Sequence, residues 1–317
     1  MIPIYEHHWE WCSFLLQLLK LLMCCIIISI KEKEEYPMKI ILSRKGFDSV
    51  AGGCASPIID GKTLLSLPIP VKEKNKDSEK QIRYSDLNYN GVNYAKLISD
   101  LNPSFSSEFC HLDPDIRSGI RNTEQEWKPA FGQAWSAQKV LKSTNVDIGD
   151  IFLFFGWFRG VQFKNDKYRF LTKMTGTDFV SYANLHVIYG YMQVGKIIDD
   201  PHRIKREFGD HPHSGERYLK SDGNTIYIPT EKLKSLGLNN IHGYGTLDLT
   251  PERILTKEGR ARSFWDKARL PRELHMLNSV GCKDYADCLN FVGQWQELVL
   301  EADGDTETWV KKIIVGK

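Results

Sequence analysis

The stretch Ser43-Arg44-Lys45-Gly46-Phe47-Asp48-Ser49 gathers two cations, a carboxylate and two hydroxyls. Arg44 and Lys45 suit phosphate or the developing charge of a leaving group. Ser43 and Ser49 suit hydrogen bonds to a substrate. Asp48 suits a carboxylate that stabilises positive charge or activates water. Lys45 as a Schiff-base nucleophile would require a depressed pKa. Gly46, Gly52 and Gly53 permit positive φ and close backbone approach. The competing reading is a charged turn after a strand.

His111-Leu112-Asp113-Pro114-Asp115 is a second cluster. In an extended segment His111, Asp113 and Asp115 all face one side. A histidine and two carboxylates on one face suit acid–base work or a divalent cation. Pro114 confines the segment to a sheet edge or a loop, and a polar loop with an Asp-stabilised turn is the alternative. His211-Pro212-His213 invites a metal reading. Its third ligand would have to be His111 or an Asp. A polar loop or phosphate contact is preferred there, and no metal or cofactor is assigned. Gln133 suits hydrogen bonding to a base edge. Glu297, at the head of an apolar run, is either catalytic or a structural ion-pair partner.

These groups need elements to position them. Lys39-Ile40-Ile41-Leu42 reads as a buried strand, and α/β proteins usually carry chemistry at strand ends. Val146–Arg159 is the strongest strand pattern, with His186–Ile198 as its partner. Strict alternation along the partner sets Tyr189, Tyr191 and Gln193 on one face and Ile188 and Met192 on the other. The spacing of these two strands is similar to small barrels of the PUA and EVE type. That likeness implies an aromatic-lined pocket near Phe155, Trp157 and Tyr191, with a packed β core as the alternative. Tyr94–Leu101 suits a short helix stopped by Asn102-Pro103. A tight helix runs from Gln133, with Gly132-Gln133 at its start offering backbone N–H groups to an anion. Val71–Arg83 is lysine-rich and reads as a solvated linker, or more sharply as a phosphate-contacting loop. Arg260, Arg262, Lys267 and Arg269, interleaved with Phe264 and Trp265, are the best local candidates for nucleic-acid backbone contact; a solvated basic face is the alternative. The fold expected is α+β, with a mixed central sheet or partial barrel and flanking helices.

The chain of 317 residues has 42% hydrophobic and 26% charged content, ordinary for a globular protein. Its net charge of +2 excludes a globally basic nucleic-acid binder, so binding must come from local patches. Seven scattered cysteines argue against a disulfide framework or a cysteine zinc site and fit a reducing cytosol. There is no Rossmann fingerprint, P-loop, His-Glu-x-x-His or deaminase Pro-Cys-x-x-Cys. Trp11–Ile30 is apolar and long enough to span a bilayer, though Gln17 and Lys20 interrupt it. Residues 1–37 therefore read as a non-native extension upstream of Met38, with membrane association through 11–30 or a packed helix as alternatives.

From Met38 onward the chain resembles the nucleotide modification associated domain family, type 3. The resemblance rests on Ser-Arg-Lys-Gly-Phe-Asp-Ser at 43–49, Gly52-Gly53-Cys54, Ser56-Pro57-Ile58, and Leu64-Leu65-Ser66-Leu67-Pro68-Ile69-Pro70. The His-Leu-Asp-Pro-Asp at 111–115 and Gln296-Glu297 are also similar to the family pattern. The family is linked to base modification in phage and bacterial DNA. The resemblance implies one domain over 38–317, a cytoplasmic role in phage defence, modified phage DNA as partner and no obligate protein partner. A DNA glycosylase that excises a hypermodified pyrimidine, such as glucosylated hydroxymethylcytosine, is the leading activity. Asp48 or Asp113 would be its carboxylate, with Lys45, His111, Asp115 and Glu297 as further catalytic candidates. A non-catalytic reader of modified bases and a transferase that builds the modification are the alternatives.

Overall fold

The computed structural model describes residues 37–278, 281–291 and 295–316. Met38–Lys317 form one compact unit. The proposed extension or anchor within 1–36 lies outside the described residues. Among those described, no helix is long and apolar enough to cross a membrane.

A ten-stranded mixed sheet organises the unit. Its strands are β1 (Lys39–Arg44), β2 (Ser56–Ile59), β3 (Thr63–Leu64), β5 (Phe131–Gln133), β6 (Ile151–Lys164), β7 (Lys167–Phe170), β8 (Leu185–Ile198), β9 (Thr225–Pro229), β10 (Tyr244–Thr246) and β11 (Glu297–Glu301). The strand β4 (Phe109–His111) belongs to a separate three-stranded sheet. The main path runs β11-β1-β6-β8-β9-β5, with β7 and β2 on β6, β3 on β2, and β10 on β8. The central mixed sheet is therefore the form the fold takes, and no closed barrel occurs among the described residues.

The apolar run at β1 is buried on both faces. Ile40 and Leu42 enter one core cluster, and Ile41 enters the other. That explains its continuous rather than alternating apolar pattern. It lies parallel to β6, with Leu42 opposite Leu153, and antiparallel to β11, with Ser43 opposite Glu297. The long strands β6 and β8 pair antiparallel as their composition predicts. The pairing shifts between Phe154 and Phe155, where Gly190 and Ile188 are the successive partners. This bulge overturns strict alternation along β8. Tyr189 packs with Met192 and Phe154, whereas Tyr191 packs with Ile188 and Leu153. An extra residue in one strand reverses the side from which later side chains project.

Two local expectations need correction. Gly132-Gln133 close β5 instead of opening a helix; the helix α2 begins at Trp135 and runs to Ser143. The lysine-rich segment is not wholly solvated, because Glu79 within it is buried and binds Arg217 Nη1 at 2.5 Å. By contrast, the helix α1 (Tyr94–Leu101) forms where expected, capped by Asn93, whose side chain accepts from Lys96 N–H.

Candidate functional site

A cleft of about 300 Å³ opens at the end of β1. Arg44, Lys45, Gly46 and Asp48 line one side. His111 and Asp113 line it too, so the fold unites the two clusters that lie far apart in sequence. Gln133, at the end of β5, completes the wall between them.

The β1 side is built on a cross-strand contact. Glu297 Oε1 accepts from Ser43 Oγ at 3.1 Å, Lys45 Nζ at 3.2 Å and Gln133 Nε2 at 2.6 Å. Glu297 Oε2 is buried without a hydrogen-bond partner among the described residues. The Lys45 ammonium also sits 4.6 Å from the centre of the Phe131 ring. Ser43 is fully buried, so its hydroxyl serves Glu297 and is not open to a substrate. Asp48 is partly occupied by its own turn: Oδ1 accepts from Val50 N at 2.7 Å and Ala51 N at 2.6 Å. Its Oδ2 lies 4.0 Å from Arg44 Nη2. Gly46, Gly52 and Gly53 all take positive φ; at Gly52 a Cβ would collide with the Phe47 ring.

The opposite side gathers three histidines around Asp113. The extended geometry that would align His111, Asp113 and Asp115 ends at His111. Asp113 N–H turns back to His111 C=O at 3.0 Å. Asp115 therefore leaves the cleft and binds Arg121 Nη2 and Trp127 Nε1, each at 2.9 Å. Asp113 Oδ1 accepts from Gly132 N–H at 2.7 Å and lies 3.3 Å from His211 Nε2. Asp113 Oδ2 lies 3.9 Å from His213 Nε2. Burial acts to raise the Asp113 pKa, but the neighbouring His211, His213 and His111 side chains outweigh it and hold it at about 2. Asp113 is thus a carboxylate at neutral pH. Burial, against the pull of Asp113, pushes the His213 pKa well below its ordinary value, so that ring is neutral.

Gly132 lets the histidine side close on β5, because a Cβ there would collide with the His213 ring. His213 Nδ1 contacts Asn224 Oδ1 at 2.7 Å, and Asn224 Nδ2 donates to His213 C=O at 3.1 Å. His111 Nδ1 lies 3.5 Å from Glu79 Oε2 and 3.2 Å from the Tyr218 hydroxyl.

Sequence reasoning passed over Trp135 and Tyr218, which form an aromatic wall of the same cleft. Their ring centres are 4.9 Å apart, and Arg217 lies 4.3 Å over the Trp135 ring. Trp135 is 40% exposed and has φ of +55°, a left-handed conformation that is strained for a bulky L-residue. A tryptophan in a polar stretch is the only signal the sequence carries, and it does not reveal the dihedral.

The remaining candidates lie elsewhere. Phe155 is fully buried and packs edge-on against Trp265 and Phe291. Tyr191 donates to His242 C=O, and Gln193 donates to Gly149 C=O. Trp157 stacks under Arg262 at 4.2 Å. The aromatic pocket expected from Phe155, Trp157 and Tyr191 therefore does not form: Phe155 and Tyr191 are core residues, because β6 and β8 are covered on both faces. Arg262 Nη2 reaches Ser49 Oγ at 2.5 Å and, with Arg44, lines a second cavity of about 400 Å³. Lys267 pairs with Asp284 at 2.5 Å, and Arg269 binds the carbonyls of Pro251 and Ile254. Arg260 lies 5.9 Å from the centre of the Phe264 ring. Of this basic run, Arg262 is the member that shares a cavity with the β1 cluster.

A family model described as nucleotide modification associated domain 3 matches residues 39–301. No curated protein and no solved structure matches the chain.

Proposed function

The chain belongs to the nucleotide modification associated domain 3 family, and we propose that it is a DNA glycosylase that excises a hypermodified pyrimidine. The observation that carries this reading is the joining of the Arg44–Asp48 and His111–Asp113 clusters in one cleft with an aromatic wall. Enzymes that act on a base extrude it from the stack and hold it against aromatic or apolar side chains. Trp135 and Tyr218 offer that surface. The cleft, at about 300 Å³, lies within the range of ligand pockets and has room for a base.

In the proposed reaction the bond between C1′ and the base nitrogen breaks, and its electron pair leaves with the base. The sugar passes through an oxocarbenium-like state, as in other glycoside hydrolysis. Ionised Asp113 stabilises that positive charge. The oxygen of water bonds to C1′, and its proton passes to a neutral imidazole of the histidine cluster. Lys45 stabilises the negative charge of the departing base, which then takes up a proton to become the free base. The products are free base and an abasic sugar. Arg44 holds the flanking phosphate, and Asp48 holds the turn that follows Lys45.

The test is incubation with DNA containing unmodified, hydroxymethylated or glucosylated cytosine, followed by alkali. Strand breaks confined to a modified substrate support the reading. Asp113→Asn abolishes release while DNA binding remains. Selective binding with no base released by the wild-type chain would sink the glycosylase and favour a reader.

A further inference from the structure

We infer that His111, Asp113 and His213 form a binding site for one first-row divalent transition ion. One donor atom from each residue lies within 4.8 Å of the others, and all three residues line the cleft. The site shares Asp113 and the imidazole lone pairs with the proposed reaction, which therefore runs on the metal-free chain, and metal binding does not depend on that reaction.

Asn224 uses Nδ2 to donate to His213 C=O, which leaves Oδ1 to face His213 Nδ1. An amide oxygen can only accept. His213 Nδ1 therefore carries the proton, and its Nε2 presents a lone pair toward Asp113. His111 repeats the pattern, with Nδ1 facing the Glu79 carboxylate and the Tyr218 hydroxyl. That leaves His111 Nε2 as its second lone-pair donor. In Asp113, Oδ1 is engaged by Gly132 N–H. His211 Nδ1 accepts from His213 N–H, so the His211 proton resides on Nε2, which faces the same Oδ1. Asp113 Oδ2 remains, 3.9 Å from His213 Nε2.

His213 Nε2 and Asp113 Oδ2 thus lie 3.9 Å apart across a buried gap, and a ring nitrogen of His111 lies within 4.8 Å of the donor atoms of the other two residues. Such an arrangement calls for a cation. Metal-binding histidines characteristically donate their second N–H to a carboxylate, carbonyl or similar acceptor, which fixes the tautomer and ring orientation. Both histidines here have that support. Two imidazoles and a carboxylate favour zinc, iron or cobalt over magnesium or calcium, which prefer all-oxygen sites. Three protein ligands would leave at least one coordination position toward the cleft, as in catalytic rather than structural sites. Asp113 is then a ligand, and Gly132 is the positioning residue that holds its Oδ1, with His211 Nε2 3.3 Å away.

The purified full chain, stripped with chelator, is titrated with Co(II) and with Zn(II) in the absence of DNA. The expected result is one equivalent bound, a visible Co(II) absorption band that Zn(II) displaces, and a melting temperature that rises with metal concentration. Asp113→Ala and His213→Ala each weaken binding more than tenfold and lose the band, while Asp48→Ala keeps both. Should either variant fail to fold, Asn224→Leu provides the second probe. It leaves all three ligands in place but removes the acceptor for His213 Nδ1–H, and it weakens Co(II) binding about tenfold or more. Failure of the wild-type chain to bind stoichiometrically, or unchanged binding in every folded variant, would overturn the site. Because no DNA is present, absence of base release in the alkali assay bears on the reaction alone.

Discussion

At the scale of single residues, the cleft combines a buried charge pair with a strained aromatic, and the two predict different behaviour. Glu297 is almost fully buried and is the charge partner of Lys45 at 3.2 Å. Removing one member of a buried pair costs about 3–5 kcal/mol, because the remaining charge stays desolvated. Glu297→Gln is therefore expected to lower stability by roughly that amount in urea unfolding, and a Lys45→Met/Glu297→Gln double variant recovers much of it. An unaltered unfolding midpoint for the single variant would show that Lys45 finds another partner. Trp135 should behave in the opposite way. Its φ of +55° suits glycine, and a bulky residue in a sparsely populated backbone region costs about 1–3 kcal/mol. Trp135→Gly relieves that strain and gives up a 40%-exposed ring, so its melting temperature should stay close to that of the wild type. If the ring stacks on a base, the same change costs about 1–3 kcal/mol of nucleotide binding. Fluorescence titration with a single-stranded oligonucleotide, alongside a thermal melt, separates the two effects.

At the scale of elements, the histidine side of the cleft depends on irregular segments clamped by charge. The segment after Val71 reaches back to the loop at 209–215 through Lys80, whose Nζ lies 3.1 Å from Asp210 Oδ1. Asp210 Oδ2 accepts from Gln125 N–H at 2.9 Å. Burial would raise the Asp210 pKa, but these hydrogen bonds and the Lys80 charge hold it below its ordinary value. A carboxyl with a depressed folded pKa adds stability that is present above its unfolded pKa. That contribution is lost as pH falls through the folded pKa. Asp210→Asn should accordingly be about 1–3 kcal/mol less stable than the wild type at neutral pH, with the difference shrinking below about pH 4. Parallel urea midpoints from neutral to acid pH would remove Asp210 from the clamp. Since His211 and His213 follow Asp210 directly, losing the clamp loosens the histidine side as well.

At the scale of the whole molecule, what was legible in the sequence follows from how local each cause is. The β1 run, the β6–β8 pair and the α1 helix could be read because apolar period and capping residues act over a few neighbours. Residue types alone left 43–49 and 111–113 open as polar turns; the family resemblance and the lack of any other enzyme motif set the two in one proposed site. The role of His213 needed its third partner to be visible, and β9, β5 and the loop at 209–215 bring that partner from about a hundred positions away in the chain. The bulge opposite Phe154 and Phe155 could not be read, because a β-bulge has no fixed residue signature in a strand that is buried on both faces. Burial likewise consumed Phe155, Tyr191 and Gln193, which a pattern of aromatic and amide residues had suggested as pocket lining.

Net charge at the same scale predicts how DNA would be held. With a formal charge of only +2, long-range attraction is weak, and affinity must come from cations at the cleft. Lys45 is partly neutralised by Glu297, while Lys72 lines the main cleft, Arg262 the neighbouring cavity and Arg44 both. Lys267 and Arg269 are already tied to Asp284, Asp266 and backbone carbonyls, so they contribute little. Two or three phosphate contacts to an extruded single-stranded segment correspond to a log–log salt slope of about −1.4 to −2.1. Raising salt from about 50 to about 200 mM should then weaken binding only about 7- to 18-fold. Arg262→Ala should reduce the slope by about 0.7 without altering the preference for a modified base, because a phosphate contact carries no base information. A slope several times steeper, unaffected by Arg262→Ala, would shift the interface to the lysine-rich segment at 72–80 and leave the cleft a site for free nucleotides instead of DNA.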